Sequence, residues 1–172
     1  MSRLRKQLFP LLGACGAILC LAAALAVAAN LVRPPAERLP WTADWSRHLE
    51  SRAAAAGLKT ATMPTLSRLV AAPGPAVLLD ARSPAAHAAG HIPGALSLPP
   101  GDFPECFPLL AEEGDWTPAT PFWVYCEGYA CDDALHLGQT LLSAGFPDVT
   151  LYAGGWDEWS RHGGAVETED AP

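Results

Sequence analysis

The stretch Phe122–Phe146, FWVYCEGYACDDALHLGQTLLSAGF, decides the fold. FWVY is a short apolar run rich in aromatic residues and reads as a strand buried on both faces. From Asp132 to Ala144 the apolar residues return at helical spacing, and "AGF" ends that run. Between strand and helix lie only the six residues Cys126 to Cys131. That loop places one thiol at the mouth of the strand and a second thiol five residues on. Acids rather than bases stand beside them, at Glu127, Asp132 and Asp133.

The same alternation continues outward. Upstream, AVLLD (Ala76–Asp80) is a fully apolar strand, and SPAAHAAG is a short helix with Ser83 as cap, Pro84 at its first position and Gly90 at its end. GALSLP is a further strand. Asp102–Glu113 is predicted helical, with Phe103, Phe107 and Leu110 inward. TLSRLVAAPG reads as a helix capped by Thr65 and followed by Gly74, and TATM as a short edge strand. Trp41–Gly57 reads as a helix with Trp45, Leu49 and Ala53 on one face. Its two tryptophans suit either a membrane interface or core packing. Downstream come a strand, VTLY, and a short helix opened by GGWDEWSRHG. The acidic tail from Glu167 is expected to fray. Strands that are apolar on both faces and alternate with helices imply an α/β domain, a parallel sheet covered by helices on each side.

The N-terminus has a different character. Leu8–Val32 carries no charge over a length that, as a helix, crosses the ~30 Å hydrocarbon core. Arg3, Arg5 and Lys6 precede it, so the positive-inside rule leaves the N-terminus in the cytoplasm and the rest outside. A cleaved signal peptide ending in the "AVA" of Ala26–Ala28, or a lipoprotein-like "LGAC" ending at Cys15, exports the domain as well. The expected organisation is a basic segment 1–7, an apolar anchor 8–32, a linker with an amphipathic helix 33–62, the α/β domain 63–164 and a flexible acidic tail 165–172. This places the protein as a single-pass protein of the cell inner membrane, with its C-terminal domain in the periplasm or cell exterior.

Charge narrows the partners. The chain has a formal net charge of −7, and without the three basic residues that precede the apolar run it falls to −10. Such a surface repels nucleic acid, which excludes that class of partner. No GxxxxGK[ST] or GxGxxG phosphate loop is present. Of the five cysteines, Cys15 and Cys20 lie in the apolar segment, where packing is expected, and Cys106, Cys126 and Cys131 in the exported part. Three thiols in an oxidising compartment leave at least one outside any internal bridge.

LLDARSPAAHAAGHIPGALSLP, then VYCEGYACDDALHLGQTLLSAGF, then LYAGGWDEW together resemble a rhodanese domain, over about Thr65–His162. The resemblance implies a rhodanese-like fold of about five parallel strands, with the active loop at their carboxyl ends, where such sheets bind ligands. Carried over by position, Cys126 matches the cysteine that holds a persulfide, and Glu127, Gly128, Tyr129, Ala130 and Cys131 match the rest of its loop. Asp80 and Arg82 match a D-x-R pair that supports the loop, and His91 matches the histidine of the GHI motif. Gly154, Gly155 and Trp156 match the closing GG-aromatic motif. Phosphatases of this fold use a loop one residue longer, so the length here implies sulfur rather than phosphate. Two positions depart from the common pattern: Glu127 follows the cysteine, and Cys131 stands where an arginine is common.

Loop N–H groups and the positive end of the helix starting near Asp132 are expected to favour an accessible Cys126 thiolate. Glu127, Asp132 and Asp133 oppose it by like charge. With no cation to receive a dianion, thiosulfate is expected to bind weakly. The spacing permits a Cys126–Cys131 disulfide if the loop curls tightly. Cys131 then resolves a Cys126 persulfide, exchanges disulfides with a partner, or merely fills space. Cys106 is expected to be buried, or paired with the loop. Asp80 and Arg82 are expected to form a structural ion pair, His91 to be structural, and Trp156 to line the core or a pocket. No cofactor or metal is implied, since a zinc site needs a further ligand brought in by the fold. The reading is a sulfurtransferase of a small sulfur donor and a thiol acceptor, anchored in the membrane and working with a membrane redox or sulfur-relay protein. Its rivals are thiol–disulfide exchange through Cys126 and Cys131, and a catalytically silent binding module.

Overall fold

A computed structural model describes residues 2–34, 45–72 and 74–169. It divides into two units, Met1–Ala43 and Asp44–Pro172. The first holds α1 (Ser2–Val32), whose segment Gly13–Val32 is long and apolar enough to cross a membrane; a signal sequence meets the same description. The linker from 35 to 44, including Trp41, lies outside the described residues.

The second unit is a five-stranded parallel sheet in the order β1-β5-β4-β2-β3. Its strands are β1 (Lys59–Ala61), β2 (Val77–Asp80), β3 (Ala95–Ser97), β4 (Phe122–Tyr125) and β5 (Val149–Tyr152). Its helices are α2 (Trp45–Ala55), α3 (Met63–Ala71), α4 (Pro84–Ala89), α5 (Phe103–Glu113), α6 (Asp133–Ser143) and α7 (Gly155–Arg161). The two-residue period of a strand sorts the side chains of β4. Phe122, Val124 and Cys126 point into a core shared with Leu49 and Ala53 of α2, Phe107 of α5, and Leu135, Leu137 and Leu141 of α6. Trp123 and Tyr125 point into the opposite core, with Leu66 of α3, Ile92 and Trp159 of α7. Because the central strands are covered on both faces, they carry no polar stripe.

Several sequence-based expectations move. Leu49 and Ala53 are buried in the core and β1 pairs with β5, so α2 and β1 pack in one compact unit with the residues from 63 on, although the expected organisation set 33–62 apart as a linker and helix. α3 starts at Met63 with Thr62 at its cap, ahead of the expected Thr65, because Pro64 occupies its first turn. Cys106 is exposed and free. The inward stripe of α5 runs through Phe103, Phe107, Leu110 and Ala111, which leaves position 106 on the flank. The tail does not fray at Glu167. Its backbone exchanges both hydrogen bonds with His91, its Oε2 accepts from Gly94 N–H at 2.8 Å, and the Glu169 N–H reaches the Ala88 carbonyl. Residues 170–172 lie outside the described part.

Candidate active site

Cys126 follows directly on β4, and α6 begins at Asp133, so the loop between them sits at the carboxyl end of the sheet's central strand. Its base is built by residues of β2 and β4. Asp80 is fully buried and Arg82 nearly so, and their side chains form a forked pair, with Nε at 3.0 Å from both carboxylate oxygens and Nη2 at 2.7 Å from Oδ2. Arg82 Nη2 also donates to the Gly90 carbonyl at 2.7 Å, and Tyr125 Oη donates to Asp80 Oδ2 at 2.7 Å. The guanidinium lies over the Trp156 ring, 4.7 Å from its centroid. Burial draws the Arg82 guanidinium down, but the hydrogen bonds and charge of Asp80 outweigh it and leave it above its ordinary value. Burial and the neighbouring Asp80 charge push the Tyr125 hydroxyl up, far above the usual tyrosine range. The D-x-R pair therefore lies inside the fold, beneath the loop.

The pair is linked to the loop. Arg82 Nη1 is 3.6 Å from Glu127 Oε2, the residue after the cysteine. The start of α7 clasps the loop by its backbone: Trp156 N–H donates to the Cys126 carbonyl at 2.9 Å and Asp157 N–H to the Glu127 carbonyl at 2.8 Å. Gly155 makes this approach possible. Its φ is +60°, and a Cβ there would collide with the Cys126 carbonyl oxygen and sit 2.8 Å from the Glu127 carbonyl carbon. His91 is buried, its Nδ1 is 2.9 Å from the His87 carbonyl, and its ring stacks on His87 at 3.7 Å. It holds the tail and α4 rather than facing the loop. His87 Nε2 donates to the Ala95 carbonyl at 2.8 Å, while Nδ1 faces Glu169 Oε1 at 3.2 Å, off the line of a hydrogen bond.

On the α6 side of the loop, Cys126 and Cys131 are joined by a disulfide, with their α-carbons 6.2 Å apart. The curl is closed by Cys131 N–H donating to the Gly128 carbonyl at 2.9 Å. Gly128 is buried, Tyr129 packs against the core, and Glu127 and Ala130 are exposed. Two expectations fail here. Cys126 is only 4 % exposed, because it continues the inward face of β4 into the core and is bonded to Cys131, so an accessible Cys126 is not a feature of the oxidised loop. The second concerns the amides: one loop N–H, that of Cys131, turns away from the sulfurs. The Cys131 N–H is committed to Gly128, and the group beside both sulfurs is the Asp133 carboxylate, with Oδ2 3.6 Å from Cys131 Sγ and 4.0 Å from Cys126 Sγ. Asp132 makes no side-chain cap for α6; it pairs with Arg52 of α2 at 2.5 Å.

Sequence reasoning named Asp133 only as one of three repelling charges and missed its place against the sulfurs. It missed Tyr125 altogether. The signal for Tyr125 was available: in a strand, the residue before an inward Cys126 faces the opposite core, and a tyrosine there needs a partner for its hydroxyl.

A family model described as "Rhodanese-like domain" matches residues 62–162. A thiosulfate sulfurtransferase from Pseudomonas aeruginosa superposes with a TM-score of 0.56 at 26% identity, covering 74% of this chain and 23% of that one. This chain thus spans about a quarter of that protein's length. The BH2092 protein from Bacillus halodurans gives 0.57 at 23% identity, covering 72% of this chain and 83% of that one. The polysulfide-sulfur transferase homodimer from Wolinella succinogenes gives 0.53 at 23% identity, covering 74% and 92%. The last two carry the likeness of fold alone.

Proposed function

The chain belongs to the rhodanese-like domain family, and on that premise we propose that it is an exported, membrane-anchored sulfurtransferase that accepts sulfane sulfur as a persulfide on Cys126. The observation that carries the reading is the Cys126–Cys131 pair, closed within one curled loop at the carboxyl end of the central strand. The apolar α1 supplies the anchor, with the domain on the periplasmic or outer side of the inner membrane.

The chemistry runs through the reduced loop. The Cys126 thiolate attacks the terminal sulfur of a persulfide or polysulfide donor R–S–SH. The donor's S–S bond breaks, R–S⁻ leaves, and Cys126 carries the persulfide. The Cys131 thiolate then attacks Cys126 Sγ, the disulfide forms and HS⁻ departs. A dithiol reductant, such as a membrane redox or sulfur-relay protein would carry, returns the loop to its starting state. Its thiolate meets the half-buried Cys131 Sγ first and expels Cys126 as thiolate. Its second thiol then displaces Cys131 and takes the disulfide away. In this scheme Asp80 and Arg82 hold the loop from beneath, and His91 and Trp156 support the elements that touch it. Thiosulfate is a poor donor, because Glu127 and Asp133 set negative charge at the loop, and Arg82 and Arg52 are already paired with Asp80 and Asp132.

The test is sulfide release from glutathione persulfide by the reduced full-length protein in detergent. Wild type should release one sulfide per disulfide formed, and Cys126→Ser none. Release by Cys126→Ser at the wild-type rate would contradict the assignment. A second reading is favoured by the disulfide itself: Cys126 and Cys131 exchange disulfides with a partner and carry no sulfur. It requires both cysteines and no sulfur donor: Cys131→Ser would then abolish disulfide exchange, and neither the wild type nor the variant would gain sulfur from glutathione persulfide.

A further inference from the structure

The loop brings a third donor to the two sulfurs. Asp133 Oδ2 lies 3.6 Å from Cys131 Sγ and 4.0 Å from Cys126 Sγ, and one ligand atom from each residue falls within 4.8 Å of the others. Its acidic neighbours are occupied: Asp132 binds Arg52, and Glu127 leans on Arg82. Among the described residues Asp133 has no cationic partner. The two sulfur-to-carboxylate separations are near those of a tetrahedral ion, for bonds of ~2.3 Å to sulfur and ~2.0 Å to a carboxylate oxygen place such ligand atoms about 3.5 Å apart; the sulfurs, bonded to each other here, must part before both can ligate. Reduction frees the sulfurs to move apart, and the 6.2 Å spacing of the α-carbons in the bonded loop leaves room for both to reach one ion.

We propose that the reduced loop is a Cys126–Cys131–Asp133 site for a thiophilic divalent cation of the zinc class, with its fourth position open to water or an incoming thiol. Two thiolates and a carboxylate present three negative charges at one point, which a divalent ion offsets and an anionic sulfur donor does not. Thiolate ligands select zinc over magnesium or calcium, which prefer oxygen. Binding exchanges two thiol protons for the ion and moves no electrons. Oxidation to the disulfide removes both sulfur ligands, so the site exists only in the reduced state. The ion and sulfane sulfur compete for Cys126 Sγ. A loaded loop is therefore shielded from oxidation and silent in sulfur acceptance.

The test uses the full-length protein in detergent, with Cys15, Cys20 and Cys106 changed to serine so that only the loop thiols remain. Reduced and freed of reductant without oxygen, it is titrated with Zn²⁺ against a chromophoric chelator, and with Co²⁺ for thiolate-to-metal charge-transfer absorption. One equivalent should bind to the reduced protein, with release of protons and with cobalt–thiolate absorption, and none to the oxidised protein. Asp133→Asn should weaken binding about tenfold or more, and Cys131→Ser further still. No binding by the reduced protein, or an affinity unchanged in Asp133→Asn, overturns the site. Sulfur uptake from glutathione persulfide by the metal-free protein is scored on the same samples by mass. Uptake without zinc binding sinks this site alone; zinc binding without uptake sinks the sulfurtransferase reading and leaves the site standing.

Discussion

The two sides of the active loop are made of opposite materials. Towards α4 and α7 it rests on buried Asp80, Arg82 and Tyr125 and on half-buried Trp156, with the Arg82 charge held by a forked carboxylate, a carbonyl and an aromatic face. Towards α6 it presents two sulfurs, an exposed aspartate with no cation beside it among the described residues, and a second aspartate drawn off by Arg52. The buried side can be changed only at the cost of the fold, since an unpaired ion there has no water to turn to. The open side can be changed at little structural cost, so it is where the proposed chemistry can be varied without the fold. The difference teaches that scaffold and reactivity are separable here, although they meet within a few residues.

The separation can be broken from the buried side first. Arg82→Ala leaves Asp80 charged and unpaired, and should cost about 3–5 kcal/mol of stability in denaturant melts. A loss near that of an ordinary surface substitution would mean the pair is not the brace described. The same side should fail in base. Burial and Asp80 hold the Tyr125 proton in the folded state, and burial and Glu158 do the same for Tyr152, whereas the unfolded tyrosines release theirs near pH ~10. The unfolded state then binds fewer protons, so this stability is complete below pH ~10 and is lost as pH rises above it. Tyr125→Phe should flatten that alkaline loss, measured by melts from neutral pH upward. Next comes the seam between the two sides. Gly155→Ala forces a Cβ onto the loop backbone at φ +60°, and should destabilise by about 2 kcal/mol. The smallest effect sharpens the comparison from the open side. Glu127→Gln removes a 3.6 Å contact of a half-exposed carboxylate and should change stability by less than about 1 kcal/mol. It should nevertheless speed sulfur uptake from anionic donors.

Much of this was legible in the sequence. Apolar strands alternating with helices specify the parallel sheet, and the D-x-R, GHI and GG-aromatic motifs mark the elements that surround the loop. What was not legible depended on tertiary neighbours. Nothing local says that Asp132 turns to Arg52 of α2, eighty residues away, while Asp133 turns to the sulfurs. The closing of Cys126 onto Cys131 depends on the curl of the loop, and the exposure of Cys106 on a stripe of α5 that passes it by. Glu167 looks like part of a charged, frayed end until the fold carries His91 and Gly94 to meet its backbone and carboxylate.

The central claim is that the reduced loop takes sulfur on Cys126 and that Cys131 clears it. Intact mass and peptide mapping of the reduced Cys131→Ser protein after glutathione persulfide test it most directly, because removing the resolving thiol should trap the intermediate. The account predicts one added sulfur atom, located on Cys126 and absent from the Cys126→Ser protein. A Cys131→Ser protein that gains no sulfur, or gains it on Cys106 alone, would contradict it.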